Sequence, residues 1–87
     1  MKPLTMFILK DCPYCRQALL WMQELRQEDA RLAGAEVQIV DEAAQPEIAD
    51  AYAYYYVPSF FLGLEKLFEG VPTKDAVRAV LEAAIGA

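Results

Sequence analysis

At 87 residues the chain has room for one small domain, expected over the whole span 1–87, and such a domain buries about 60 to 65% of its unfolded surface. Hydrophobic residues make up 56%, which supplies a core and excludes a disordered chain. Lys and Arg number 8 against 13 Asp and Glu, a formal charge of -5 with no two basic residues adjacent, so neither nucleic acid nor anionic membrane is expected as a partner.

Leu4 to Leu9 is a short apolar run rich in Phe and Ile, and it is predicted to be a buried strand. It stops at Lys10-Asp11 and offers no small-residue cleavage site, so it does not read as a signal peptide. No stretch approaches the roughly 18 apolar residues of a membrane span. A soluble, monomeric, cytoplasmic protein is expected.

From Pro13 to Leu32 the apolar positions Cys15, Ala18, Leu19, Met22 and Leu25 recur at helical spacing, with Arg16, Gln23, Glu24 and Gln27 opposite. Pro13 suits the first helical position and Gly34 supplies a stop. Glu36 to Val40 is predicted to be a second strand, parallel to the first because a helix joins them. Pro46 opens a short helix running to Tyr52. Ser59 to Leu62 and Lys66 to Glu69 form a predicted hairpin around Gly63-Leu64-Glu65. Thr73 is a good N-cap for a last helix whose apolar face is Val77, Val80, Leu81 and Ala84. The predicted order, β-α-β-α-β-β-α, is that of an α/β domain.

The only two cysteines, Cys12 and Cys15, flank Pro13 and Tyr14 at the start of the long helix. Two thiols one turn apart can close into a small disulfide and reopen without unfolding the chain. As a staple such a bridge constrains too little chain, and a structural disulfide is unusual in a reducing cytoplasm. At the helix start the sulfur of Cys12 would face unpaired N–H groups and the positive end of the dipole, which favour a thiolate. Lys10 and Arg16 add to this and Asp11 opposes it. Cys15, on the apolar face, should be less accessible. Cys12 is therefore expected to attack a substrate disulfide and Cys15 to resolve the mixed disulfide. Pro13 stiffens the first turn, and Tyr14 covers the rim of the site.

Two other readings of the pair stay open. One makes Cys15 an ordinary buried cysteine and Cys12 a bystander. The other is metal binding: with no histidine and no third cysteine, one chain cannot complete a tetrahedral zinc shell without carboxylates, so a metal or cluster would be shared between two chains through Cys12. No resident metal or organic cofactor is expected. Tyr52, Tyr54, Tyr55 and Tyr56, followed by Phe60 and Phe61, are too many rings for so small an interior. One or two of them should form an apolar ledge beside Cys12, with Tyr54, Tyr55 and Tyr56 as the candidates to touch substrate. Trp21 is assigned to packing.

The stretch Phe7-Ile8-Leu9-Lys10-Asp11-Cys12-Pro13-Tyr14-Cys15, followed by a helix and later by Val57-Pro58, resembles the active-site strand, turn and helix of a glutaredoxin. Cys-Pro-Tyr-Cys is that family's dithiol motif, and the resemblance covers essentially the whole chain. It implies a minimal, glutaredoxin-like thioredoxin fold, with a mixed four-stranded sheet, helices on both faces and a cis proline at Pro58 opposite the thiols. The function it implies is that of a dithiol thiol-disulfide oxidoreductase acting on protein or glutathione mixed disulfides, with glutathione as electron donor. A cis bond at Pro58 would bring the N–H and C=O of Val57 out to pair with an extended substrate like one more strand. Taken alone, Pro58 also fits a strand-initiating proline.

Tyr56 stands where glutaredoxins usually have Thr. The tract Glu69-Gly70-Val71-Pro72-Thr73-Lys74-Asp75 has one glycine and a proline where the family usually has Gly-Gly and an acidic pair, and Lys10 lies one residue nearer the cysteine than the family's lysine. These departures leave the donor open between glutathione and a flavoprotein reductase of the kind that recharges thioredoxin. Lys10, Pro13, Tyr14, Tyr56, Val57, Pro58 and Thr73 are the candidate substrate-binding residues. Thr73 and the start of the last helix could receive a carboxylate, and Thr73 is also explained as an N-cap alone. A reading from another class is a non-enzymatic module that binds a partner or bridges a metal or cluster.

Overall fold

The computed structural model describes residues 3–86; Met1, Lys2 and Ala87, the ends of the expected 1–87 domain, lie outside the described residues. In chain order the elements are β1 (Leu4–Ile8), α1 (Pro13–Glu28), a short 3-10 helix (Leu32–Gly34), β2 (Val37–Asp41), α2 (Pro46–Ala49), β3 (Ser59–Leu62), β4 (Glu65–Glu69) and α3 (Lys74–Ala84). The strands form one four-stranded sheet in the order β2-β1-β3-β4. β1 runs parallel to β2 and antiparallel to β3, and β4 is antiparallel to β3. The mixed sheet and the β-α-β-α-β-β-α order are those expected. No helix among the described residues is long and apolar enough to cross a membrane.

β1 is paired on both sides, Leu4 with Val37 and Leu62, Phe7 with Val40 and Ser59. Helices cover both of its faces, which is why its sequence is a continuous apolar run and not an alternation. Alternate residues of a strand point to opposite faces. Leu4, Met6 and Phe60 accordingly meet Ala18, Met22 and Leu25 of α1 and Val77 and Leu81 of α3, with Trp21 packed against this cluster. Phe7 and Phe61 face the other way, into a smaller cluster with Val40, Ala49, Tyr52 and Tyr54. The Phe7 ring stacks on Tyr54 at 4.8 Å and meets Tyr52 at 4.8 Å.

This packing divides the tyrosine run. Tyr52 and Tyr54 are core, which removes Tyr54 from the expected ledge, while Tyr55 and Tyr56 are 89% and 68% exposed.

α1 begins at Pro13 as predicted but ends at Glu28, short of Leu32. Asp29 takes an extended backbone, and its carboxylate accepts the N–H of Arg31 at 3.0 Å and the Arg31 guanidinium at 2.8 Å. An Asp bonded to the backbone two residues on makes a local turn that competes with continued helix. Leu32 still reaches the core, fully buried, from the 3-10 helix. α2 is a single turn that stops at Ala49, not at Tyr52, and beyond it Tyr52 packs on Phe61 at 4.9 Å.

The hairpin turn is also tighter than predicted. Only Gly63 and Leu64 separate the strands, since Glu65 already pairs with Leu62. Gly63 has φ 61, and among the described residues no other residue type has positive φ, the combination a type II′ turn requires.

Candidate active site

The chain passes from the end of β1 into α1 through Leu9, Lys10, Asp11 and Cys12. The Cys12 N–H donates to the Leu9 carbonyl at 3.2 Å, and the Arg16 N–H donates to the Cys12 carbonyl at 3.1 Å, opening the helix. Cys12 is itself the N-cap: its backbone is extended (φ -94, ψ 110) and its Sγ accepts the N–H of Cys15 at 3.1 Å. An oxygen of Ser, Thr, Asp or Asn fills this place in most helices. Pro13 follows at the first helical position, where a missing N–H costs nothing, and the first turn carries no acidic side chain to compete with the sulfur.

Neither thiol is in a disulfide; Cys12 is half-buried, whereas Cys15 is only 1% exposed. Burial pushes the Cys15 thiol up to about 12, helped by its hydrogen bond with Cys12 and by the charges of Cys12 and Glu42, and opposed by the backbone of Leu9. At neutral pH Cys15 is therefore an inner, protonated thiol. Cys12 is the sulfur a substrate can reach.

The Val57–Pro58 peptide bond is cis. Pro58 is fully buried, and the Val57 carbonyl oxygen lies 3.8 Å from Cys12 Sγ, within reach of its S–H. Residues 45 positions apart in the sequence are thus brought together at the sulfur. Lys10 joins them, because Leu9, Lys10, Asp11, Cys12 and Ala43 line an open hollow of about 310 Å³ at Cys12. Pro13 and Tyr14 are exposed on the first turn of α1, Tyr14 by 51%. Thr73 does not line the hollow. Its Oγ1 accepts the Ala76 N–H at 3.0 Å as the N-cap of α3.

Behind Val57 lies a second layer that no motif marks. The Glu69 carboxylate accepts the N–H groups of both Tyr55 (2.9 Å) and Tyr56 (3.1 Å) through Oε2, and pairs with Lys66 through Oε1. Lys66 Nζ also reaches the Ala53 carbonyl at 3.4 Å, and Ser59 Oγ donates to the Tyr56 carbonyl. The signal that could have shown this is the hairpin register, which sets Glu69 opposite Ser59. A bulge hides it: Lys66 pairs with Phe61 and Phe68 with Phe60, leaving Leu67 as the extra residue. A regular ladder would have put Phe68 there and turned Glu69 to the other face.

Cys15 and Tyr54 titrate high for the same reason. Burial, followed by the charges of Glu42 and Asp50 and the approach of the Glu42 side chain to its hydroxyl, pushes Tyr54 up to about 12. Both Cys15 and Tyr54 hold their protons more tightly in the fold than in the unfolded chain. Their contribution to stability is therefore fully present below about pH 9 and is lost as pH rises toward 12. Urea unfolding of the reduced protein should show that alkaline loss, and a Cys15→Ala, Tyr54→Phe double variant should show much less of it. Equal losses in both proteins would contradict the assignment.

No family model matches the chain, and no curated protein matches it. Among solved structures it is similar to a mutant thioredoxin from Halobacterium salinarum, with TM-score 0.67 and 23% identity over 95% of this chain and 74% of that one. It is also similar to a protein disulfide oxidoreductase from Aeropyrum pernix, with TM-score 0.66 and 28% identity over 97% of this chain but only 38% of that one. A malarial protein matches with TM-score 0.67 and 15% identity over 94% of each chain. The architecture is the thioredoxin fold. The chain is a thioredoxin-fold protein that carries a dithiol pair at the N-terminus of its first helix, against a cis proline.

Among the described residues no group of three or more His, Cys, Asp or Glu side chains is gathered to hold a metal ion.

Proposed function

We propose that the protein is a dithiol thiol-disulfide oxidoreductase of the glutaredoxin-like kind, with Cys12 as nucleophile and Cys15 as resolving thiol. The observation that carries the proposal is the asymmetry of the pair: Cys12 Sγ is half-buried at the helix cap beside the Val57 carbonyl, and Cys15 is buried directly behind it. Cys12, as thiolate, attacks one sulfur of a substrate disulfide. That bond breaks, the second substrate sulfur leaves as a thiol, and a mixed disulfide joins the substrate to Cys12. Cys15 then gives up its proton and attacks Cys12 Sγ, releasing the remaining substrate sulfur as a thiol and leaving a Cys12–Cys15 disulfide. The substrate gains two electrons, both from the protein sulfurs, and two protons, one from Cys15 and one from the solvent that took up the Cys12 proton.

An extended protein substrate lies along Val57, whose N–H and C=O serve it as one more strand, and the rims are Tyr14 and Tyr56. Glutathione recharges the protein in a reducing, cytoplasmic compartment. Because Thr73 Oγ1 is engaged as the α3 cap, Lys10 is the group in the Cys12 hollow that meets a glutathione carboxylate. A second reading, favoured by the structural likeness to a thioredoxin, replaces glutathione with a flavoprotein reductase.

Turnover of a peptide disulfide with each donor system separates the two. Glutathione alone should sustain turnover, and Lys10→Ala should raise the glutathione concentration needed about 1.5-fold to fivefold, the effect of one exposed charge. Turnover with the reductase and none with glutathione would establish the second reading. Turnover with neither would overturn both.

A further inference from the structure

We propose that Glu69 is a positioning residue of the redox site, clamping the chain ahead of Val57 so that an extended polypeptide disulfide is seated against Cys12, while small disulfides react without its help. The proposal rests on the dithiol reading and adds to it the group that selects for polypeptides.

Residues 50–58 form no helix or strand, so no ladder fixes the backbone that presents Val57. Backbone N–H groups outside regular structure can be fixed by side-chain acceptors instead of a ladder. Here one carboxylate supplies them, accepting two successive N–H groups through a single oxygen, and its other oxygen holds Lys66, which reaches back to Ala53. The far side is held too, by Ser59 Oγ on the Tyr56 carbonyl and by the Gly70 N–H, which donates to the Pro58 carbonyl at 3.1 Å. Glu69 sits at the last position of β4 opposite Ser59, so the clamp is anchored to the sheet.

The clamp also explains the two tyrosines that the core does not use. Tyr55 and Tyr56 are 89% and 68% exposed, yet their backbone is pinned, which displays two large rings on a fixed support close to Val57. Rigid aromatic side chains give contact area at low entropic cost, and polypeptides use it. A small disulfide that touches only Cys12 uses neither the rings nor the backbone register.

The Glu69 charge is robust. Its bonds to Lys66, then to the Tyr55 and Tyr56 N–H groups, hold it at about 2, so the clamp persists across the pH range in which thiol exchange is measured.

The test compares wild type, Glu69→Gln and Glu69→Ala with a peptide disulfide and with a small aromatic disulfide, alongside amide exchange at Tyr55 and Tyr56. Glu69→Ala should raise the KM for the peptide about tenfold, the scale of losing charge-assisted hydrogen bonds, with kcat held within about twofold. Reaction with the small disulfide and alkylation of Cys12 should also stay within about twofold, while the two amides exchange faster. Glu69→Gln keeps the side-chain volume and one acceptor oxygen but loses the ion pair, and should fall between. An unchanged peptide KM with faster amide exchange would overturn the proposal. Equal losses on both substrates and in alkylation would overturn it as well, by showing general damage to the site. If wild type reduces neither disulfide, it is the dithiol reading that fails, and the amide exchange still reports whether Glu69 clamps the segment.

Discussion

Replacing Cys12 with serine should reduce disulfide turnover by more than about 10³-fold, the scale expected when the nucleophile is removed. The fold should survive intact. Cys12 Sγ caps α1 by accepting the Cys15 N–H, and a serine oxygen is a better acceptor in that position than sulfur. Thermal unfolding should therefore match wild type or exceed it. The loss of activity would then belong to the missing sulfur and to nothing else. Replacement of Cys15 has the opposite character: it leaves the attacking sulfur in place and removes the exit. Because Cys15 is 1% exposed, alanine is the better probe, since it removes the sulfur without burying a hydroxyl in its place. Cys15→Ala should still attack a substrate disulfide and then stall. Full turnover in Cys12→Ser would reject the assignment of the nucleophile.

The largest effect on stability is expected at Phe7. It is fully buried and its ring meets Tyr52, Tyr54 and Phe61 at 4.8, 4.8 and 5.8 Å, so it is the centre of the smaller core. Truncating a buried Phe to Ala costs about 3 to 5 kcal/mol through lost transfer energy and the cavity left behind. A chain of this length is stable by about 4 to 13 kcal/mol in total. Phe7→Ala should therefore lower Tm by at least about 12 °C, and at the low end of that range should leave much of the protein unfolded at room temperature. The cavity lies on the face that carries Tyr54 and Val57, so peptide-disulfide reduction should fall in the fraction that remains folded. Phe7→Leu, which keeps most of the volume, should cost much less. A Tm drop under about 4 °C for Phe7→Ala would show that the ring cluster is not packed as described.

The parts of this molecule that were readable from sequence are those set by local chemistry. Pro13 and Thr73 fix the starts of α1 and α3 because each acts on the backbone immediately beside it. The apolar run of β1 signals a strand buried on both faces, and the cysteine spacing places both sulfurs on the first turn of α1. The cis bond at Val57–Pro58 came from family resemblance and not from spacing. What was hidden depended on residues far apart in the chain or on a single competing bond. α1 stops early because the Asp29 carboxylate captures Arg31, a choice that helical periodicity through Leu32 does not reveal. Tyr54 and Tyr55 are adjacent and chemically alike, yet one stacks on Phe7 and the other is solvent-exposed, since an irregular segment has no period from which to read a face. Glu69 was invisible because one bulged residue, Leu67, decides which side of β4 it occupies.

These hidden elements share a place. The Glu69 clamp, the exposed pair Tyr55 and Tyr56, and the Val57 carbonyl at Cys12 all lie in or against the segment before β3. In the proposed function the thiols carry the chemistry, and this segment selects what is brought to them.

The central claim is that Cys12 attacks and Cys15 resolves, and the intact mass of Cys15→Ala after brief mixing with a peptide disulfide tests it most directly. A single covalent adduct of one peptide half, mapped to Cys12 and released by reductant, is the predicted result, with wild type under the same conditions showing no adduct and the loss of two hydrogens. Unmodified Cys15→Ala together with wild type that keeps both thiols free would contradict it.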